Sequence, residues 1–182
     1  TSALRDLMPG GTQIVACTAT ISRQTKIFFA DAKNIVMPAE DVLKKRITHW
    51  AIYAETRDKI DTLRKLLAAE KPAKALVFTS RADQVENIYQ KLAYKKVDCA
   101  CIHAKTDKQQ RKATMDRFRS GKIPVLITSD LGARGLDIPE ITHIIQMDLP
   151  SDEDFFVHRC GRTARAGKTG INIVIGDEWE MR

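Results

Sequence analysis

Cysteines, glycine-rich strings and long apolar runs are all scarce in this chain, and each scarcity removes a class of protein. The four cysteines among 182 residues are Cys17, Cys99, Cys101 and Cys160. They lie far apart except for one Cys-Ala-Cys pair, which excludes a disulfide scaffold and lacks the spacing of a zinc finger. Buried, reduced thiols are the expectation, with Cys99 and Cys101 on one face of a strand, and no metal site is expected. No stretch approaches the roughly 18 to 20 apolar residues of a membrane helix. Residues 1–11 carry no basic-then-apolar leader pattern, so no membrane partner and a cytoplasmic location are expected. No Gly-x-x-x-x-Gly-Lys-Ser/Thr string occurs, so the chain has no P-loop of its own; Gly10-Gly11-Thr12 lacks the lysine and the following helix. Internal repeats and low-complexity tracts are also missing.

What is present is basic and well supplied with apolar mass. Thirty lysines and arginines against twenty-three acids give a net charge of +7 and a pI near 9.3, which favours a polyanionic partner. A hydrophobic content of 43% suffices for a single core.

From Lys74 onward, short β-branched runs alternate with amphipathic stretches, the signature of repeated strand-helix units around a parallel sheet. Strands are predicted at residues 75–79, 97–103, 124–129, 143–148 and 170–175, and helices at 84–93, 108–119 and 152–159. Ser151 followed by Asp154, directly after Pro150, predicts a capped start for the last helix. Upstream, residues 57–69 read as a helix, with Ile60, Leu63, Leu66 and Leu67 at spacings of three and four, and 47–53 as a strand. Residues 13–17 and 33–37 read as short strands, 21–30 as a helix, and the charged 41–46 as a linker. The expected class is α/β, with helices on both faces of a parallel sheet.

Ligands of an open parallel sheet gather beyond the carboxyl ends of its strands. After residues 124–128 comes Ser129-Asp130-Leu131-Gly132-Ala133-Arg134-Gly135-Leu136-Asp137. Its glycines let backbone approach a ligand, Arg134 offers a donor fork for phosphate, and Asp137 can accept from a ribose hydroxyl. After the last helix comes His158-Arg159-Cys160-Gly161-Arg162-Thr163-Ala164-Arg165, with three arginines spaced by three. Gly161 is expected to end the helix and leave Arg162 and Arg165 projecting, with no obvious acid beside them. Two such guanidiniums suit a phosphate better than a carboxylate. The plain alternative is that these arginines form surface ion pairs and His158 a structural hydrogen bond.

These two strings resemble the fifth and sixth signature motifs of DEAD-box RNA helicases. Leu76-Val77-Phe78-Thr79-Ser80 is similar to the fourth motif and Thr18-Ala19-Thr20 to the third, so the resemblance runs along essentially the whole chain. It implies the second, C-terminal RecA-like domain over residues 47–182, a P-loop NTPase-like fold without its own P-loop. Residues 1–40 would be the tail of the first RecA-like domain, joined by a linker at 41–46. The histidine at position 158, where related DNA helicases typically carry glutamine, favours RNA.

The resemblance also implies roles. Arg162 and Arg165 match the arginine fingers that reach the γ-phosphate, and Gly135 and Asp137 nucleotide-binding positions. Arg134, His158, Thr18 and Thr20 match residues that couple the two domains. Ser80, Arg81, Lys108, Arg111 and Ser129 match contacts to the RNA backbone. ATP and Mg2+ would be bound mainly by the missing first domain, the Asp-Glu-Ala-Asp box being absent here. The implied activity is RNA-stimulated ATP hydrolysis and duplex unwinding by a longer parent, the chain alone being inactive.

Lys108 departs from the family's glutamine, His103-Ala104-Lys105 from His-Gly-Asp, and Ala164 from a glycine whose backbone, if φ is positive there, would strain an alanine. A binding module without turnover, for RNA or a partner, is the rival reading, and a different nucleotide-binding α/β enzyme a third. A strand at 13–17 with unpaired backbone would seek a sheet edge, on this chain or on a second copy as a dimer.

Overall fold

The structure is a computed structural model that describes residues 7–17, 21, 23–35, 45–133, 135 and 138–182. It divides into two compact units, Thr1–Ile35 and Val36–Arg182. In the first, helix α1 spans Arg23–Phe28, inside the predicted 21–30. Residues 12–17 form no strand and are exposed, Ile14 at 42% and Val15 at 73%. The expected strand at 13–17 is therefore corrected, and the dimer argued from its unpaired edge loses its premise. Five apolar-leaning residues make a strand only when a neighbour takes up their backbone groups. Residues 33–35 are likewise irregular, and 36–37 lie outside the described residues, as do 41–44 of the expected linker.

The second unit is built on a six-stranded sheet. The strands are β1 (Ile47–Tyr53), β2 (Ala75–Thr79), β3 (Cys99–Ile102), β4 (Val125–Ser129), β5 (His143–Gln146) and β6 (Gly170–Gly176). All pairings are parallel and the order across the sheet is β1-β6-β5-β2-β4-β3. Between the strands run α2 (Lys59–Glu70), α3 (Gln84–Tyr94), α4 (Lys108–Arg119), the single turn α5 (Asp130–Ala133) and α6 (Glu153–Cys160). Strands β2, β4 and β5 are buried throughout, which is why they read as unbroken apolar runs rather than as alternations.

Alternate side chains still divide the two faces. Ala75, Val77, Val125, Ile127 and Ile145 pack with Leu63 and Leu67 of α2 and Ile88 and Leu92 of α3. Leu76, Phe78, Leu126 and Ile144 pack on the other side with Met115 and Phe118 of α4. Helices thus cover both faces, as the sequence predicts.

Helix ends follow their capping residues. Asp107 accepts from the N–H groups of Gln109 and Gln110 at 2.9 and 3.0 Å and starts α4. For α6 the cap is Asp152, accepting from Asp154 N at 2.9 Å, so the expected capping role of Ser151 passes to its neighbour. Asp and Ser are about equal as N-caps. The C-terminal turn clasps the sheet's carboxyl end: Lys59, itself buried, pairs with Glu180 and donates to Met147 O at 3.1 Å. The other oxygen of Glu180 accepts from Leu149 N.

Candidate nucleic-acid and phosphate sites at the two ends of the sheet

The order β2-β4-β3 aligns three expected contact groups along the carboxyl rim. Ser80 and Arg81 follow β2, Ser129 ends β4, and Lys108 and Arg111 open the helix that follows β3. Neighbouring strands stand about 4.8 Å apart, so residues far apart in sequence form one short row. Arg111 Nη2 donates to Gly132 O at 2.7 Å and ties that helix to the loop after β4. Lys108 is exposed, and Arg81 is exposed beside Asp83 at 3.1 Å.

Ser129 is 1% exposed, and its hydroxyl accepts from Gly132 N at 3.2 Å. It shapes the single turn α5 rather than standing out on the rim. A Cβ at Gly132 would lie 2.6 Å from Thr128 Oγ1 and 2.9 Å from Ile102 O. The close approach that requires this glycine is to the protein's own strands rather than to a ligand. Gly135 has open space around it and a φ of +69°, so there the backbone conformation is what favours glycine. Arg134, Asp137, Thr18 and Thr20 lie outside the described residues.

The row is organised by a residue that sequence reasoning left in the background. Arg159, 1% exposed, uses all five of its N–H groups. Nε and Nη2 donate to the two oxygens of Asp130 at 2.7 Å each, and Nη1 to Gln146 Oε1 at 3.1 Å and Asp148 O at 3.0 Å. The remaining Nη2 proton goes to Ser80 Oγ at 2.8 Å. Ser80 Oγ in turn donates to Asp148 Oδ1 at 2.6 Å, and Thr79 Oγ1 to Asp148 Oδ2 at 2.7 Å. One guanidinium, lying over the ring of Phe78, thus joins the ends of β2, β4 and β5. The acids that hold Arg159, Asp130 and Asp148, come from loops remote in sequence. A usable signal existed: each of these acids stands just past a buried strand.

Arg162 and Arg165 lie at the other end of the sheet. Helix α6 runs back from the carboxyl rim, ends at Gly161, and leaves both arginines lining a cleft of about 440 Å³. Lys74, Gly121, Thr142 and Thr169, each just ahead of a strand, share that cleft. The general expectation that ligand-binding residues gather beyond the carboxyl ends of the strands does not describe the place of these two arginines. The chain first crosses the sheet in a helix before presenting these guanidiniums.

Arg162 is half-buried; Arg165 is exposed and its Nε donates to Gly161 O at 2.9 Å. Lys74, Arg119 and Lys168 add positive charge, against one acid, Glu140. Lys168 lies 2.8 Å from Glu140 and, as a hydrogen-bond donor, holds that carboxyl below its ordinary value. This donor set fits phosphate groups. Ala164, between the two arginines, has a φ of +54° and Ala166 one of +51°, so the left-handed backbone is present without the glycine. His158 is exposed on the last turn of α6.

Only one of the four thiols matches the expectation of full burial. Cys160 is buried, Cys99 and Cys101 are half-buried on the face packed against α2 and α3, and Cys17 is exposed. Burial pushes Cys99 up to about 11, and Cys101 and Cys160 up to about 12. Among the described residues, no cluster of His, Cys, Asp or Glu is placed to hold a metal ion, and no helix is long and apolar enough to cross a membrane.

Comparison with known proteins gives this geometry its context. Residues 58–167 match the helicase conserved C-terminal domain. The DEAD-box ATP-dependent RNA helicase CshC of Bacillus cereus is 39% identical over 93% of this chain, which spans 44% of that relative's length. The structure of S. cerevisiae Dbp5 bound to RNA and ADP BeF3 superposes on 96% of the chain and 48% of its own, with a TM-score of 0.84 at 25% identity. E. coli SrmB bound to the regulator of ribonuclease activity A superposes on 74% of this chain and 79% of its own, with a TM-score of 0.69 at 29% identity. By its matched domain, its relatives and its parallel six-stranded sheet, the chain belongs to the helicase C-terminal domain family and, within it, to the DEAD-box RNA helicases.

Proposed function

We propose that this chain is the C-terminal half of an ATP-dependent RNA helicase, gripping RNA at one end of its sheet and presenting arginines to nucleotide phosphates at the other. The observation that carries the reading is the row across β2, β4 and β3, where Ser80, Arg81, Lys108 and Arg111 gather on adjacent strand ends. Hydroxyls and cations in such a row suit phosphates and 2′-hydroxyls and read no base edges, so the grip is independent of sequence. The RNA in the Dbp5 complex supports this choice of ligand.

Bound ATP with magnesium would supply the phosphoryl group that water takes up. A separate RecA-like domain of the longer parent would hold most of it, residues 1–40 being the tail of that domain and 41–46 the linker. Arg162 and Arg165 offer fixed positive charge where negative charge develops, an effect worth roughly a thousandfold to a hundred-thousandfold in phosphoryl transfer. Arg134, His158, Thr18 and Thr20 would couple the domains, and Gly135 and Asp137 would face the nucleotide. Strand separation then follows from bending one RNA strand as the halves close.

RNA-stimulated ATP hydrolysis by the parent tests this. With Arg162→Ala or Arg165→Ala, turnover is expected to fall at least about a hundredfold with RNA affinity retained. Unchanged turnover would refute the arginine role. The absence of a P-loop favours a second reading for the chain alone, as an RNA- or partner-binding module without turnover. RNA binding by the 182-residue chain with no ATP hydrolysis is the expected result there, and hydrolysis by the chain alone would exclude it.

A further inference from the structure

The side chains that hold Arg159 extend well beyond the rim. Gln146, the last residue of β5, receives Arg159 Nη1 on its Oε1 and donates from Nε2 to Asn172 Oδ1 of β6 at 2.8 Å. Asn172 Nδ2 lies 3.1 Å from His49 Nδ1, and the two residues are register partners on β6 and β1. Gln146 is fully buried and Asn172 is 1% exposed, so two polar side chains lie buried on adjacent strands under α6, and the exposed His49 extends the line to the edge strand β1.

The direction of every bond in this line is dictated by Arg159. A guanidinium can only donate, so Gln146 must turn its oxygen to it and its amide nitrogen to Asn172. Asn172 must then turn its oxygen to Gln146 and its nitrogen to His49, whose Nδ1 accepts. Neighbouring positions in these strands, Ile144, Ile145 and Ile173, are isoleucine. A buried amide pair among them carries a desolvation cost that an apolar pair would avoid, and orientational specificity is what such a pair offers in return.

We propose that Gln146 and Asn172 are positioning residues for the RNA grip, acting through Arg159 on the hydroxyl of Ser80. With the acceptor on Gln146 fixed, the guanidinium cannot pivot about its pair with Asp130, and Nη2 stays aimed at Ser80 Oγ. Ser80 then keeps one orientation, accepting from Arg159 and donating to Asp148, which leaves its second lone pair to accept from a 2′-hydroxyl of the RNA. The inference rests on the reading that Ser80 faces RNA.

The test is the affinity of the 182-residue chain for a fluorescent single-stranded RNA oligonucleotide. Wild type is compared with Ser80→Ala, Asn172→Leu, Asn172→Asp and the Ser80→Ala/Asn172→Leu double variant. Each is assayed below the onset of its own thermal melt, and Gln146→Leu takes the place of any Asn172→Leu protein that does not fold. Leucine fills the space of Asn172 without an acceptor, and a loss of about fivefold is expected, the equivalent of one hydrogen bond. Aspartate keeps an oxygen toward Gln146 and is matched by the Nδ1–H tautomer of His49, so it should stay within about twofold of wild type. The double variant should bind no more weakly than Ser80→Ala alone, because both changes act through one hydroxyl.

A residue that merely fills space would give the reverse order, with leucine tolerated better than aspartate. If Ser80→Ala weakens binding while Asn172→Leu leaves it unchanged or adds independently, the positioning role is overturned and the RNA reading stands. If Ser80→Ala has no effect, the RNA reading of this rim fails and the inference falls with it.

Discussion

Thr163 occupies the space that a side chain at Gly170 would need. A Cβ built on Gly170 would come closest to Thr163 Oγ1 and stand 2.6 Å from its Cγ2, and the threonine cannot turn away without giving up its hydrogen bond to Ile141 O. Thr163 lies between Arg162 and Ala164, so this contact fixes the turn that carries both cleft arginines. Gly170→Ala is expected to cost about 1–3 kcal/mol, the usual range for overpacking, as read by urea denaturation. Thr163→Ala in the same background should recover part of the loss, since it removes the two nearest clashing atoms, and only part, since it also gives up the hydrogen bond to Ile141 O.

Arg159 is the one fully buried cation among the residues that organise the rim, and it balances two carboxylates. Arg159→Met fills much of its volume but strands Asp130 and Asp148 without their cation. A loss of about 3–5 kcal/mol is expected, as for breaking other buried pairs, measurable as a fall in the urea midpoint. The loss should exceed that from Arg81→Met, whose guanidinium is exposed beside Asp83.

Ala164 and Ala166 share a left-handed backbone and differ in their surroundings. Ala166 is exposed, so Ala166→Gly should relieve about 1 kcal/mol and raise the melting temperature. The methyl of Ala164 packs with Ile47 and Cys160, and its removal costs about as much as the strain it relieves. Ala164→Gly should therefore leave the melting temperature nearly unchanged. Equal gains at both positions would contradict this account.

His143 is nearly buried, its Nε2 has no hydrogen-bond partner among the described residues, and burial holds its pKa below the ordinary 6.5. Between the lowered folded value and 6.5 the unfolded chain binds the extra proton. The contribution of this group is thus fully present above about 6.5 and is lost as the pH falls toward the folded value. The urea midpoint should decline on going from pH 7.5 to 5.5, and His143→Phe should flatten that part of the decline. An identical slope in the variant would assign the decline to other groups.

Local patterns were legible where one segment decides its own state. Strand Ala75–Thr79 and helix Lys108–Arg119 have the bounds the sequence predicts, because an apolar run or a charged helix following Asp107 carries its own limits. Residues 13–17 failed as a strand because a strand also needs a partner, which no local pattern supplies. The contact row was only half legible. Its residue types were visible, but their alignment follows from β4 lying between β2 and β3, an order no single unit encodes. The acids around Arg159 were hidden for the same reason: Asp130 stands 29 positions before it and Asp148 11, and only the assembled sheet brings the three together.

The sheet order also has a consequence for how the protein is made. Strand β1 is the first of the six to be synthesised, yet among the described residues its one strand neighbour is β6, and Ile47 pairs with Gly170. At the usual 5–20 residues per second, the 123 residues from Thr48 to Gly170 take roughly 6 to 25 seconds to translate. Through that interval a segment bearing Trp50 and Tyr53 waits on the ribosome with its backbone unpaired. It is then the natural client for a chaperone and the first place where two nascent chains could join by mistake.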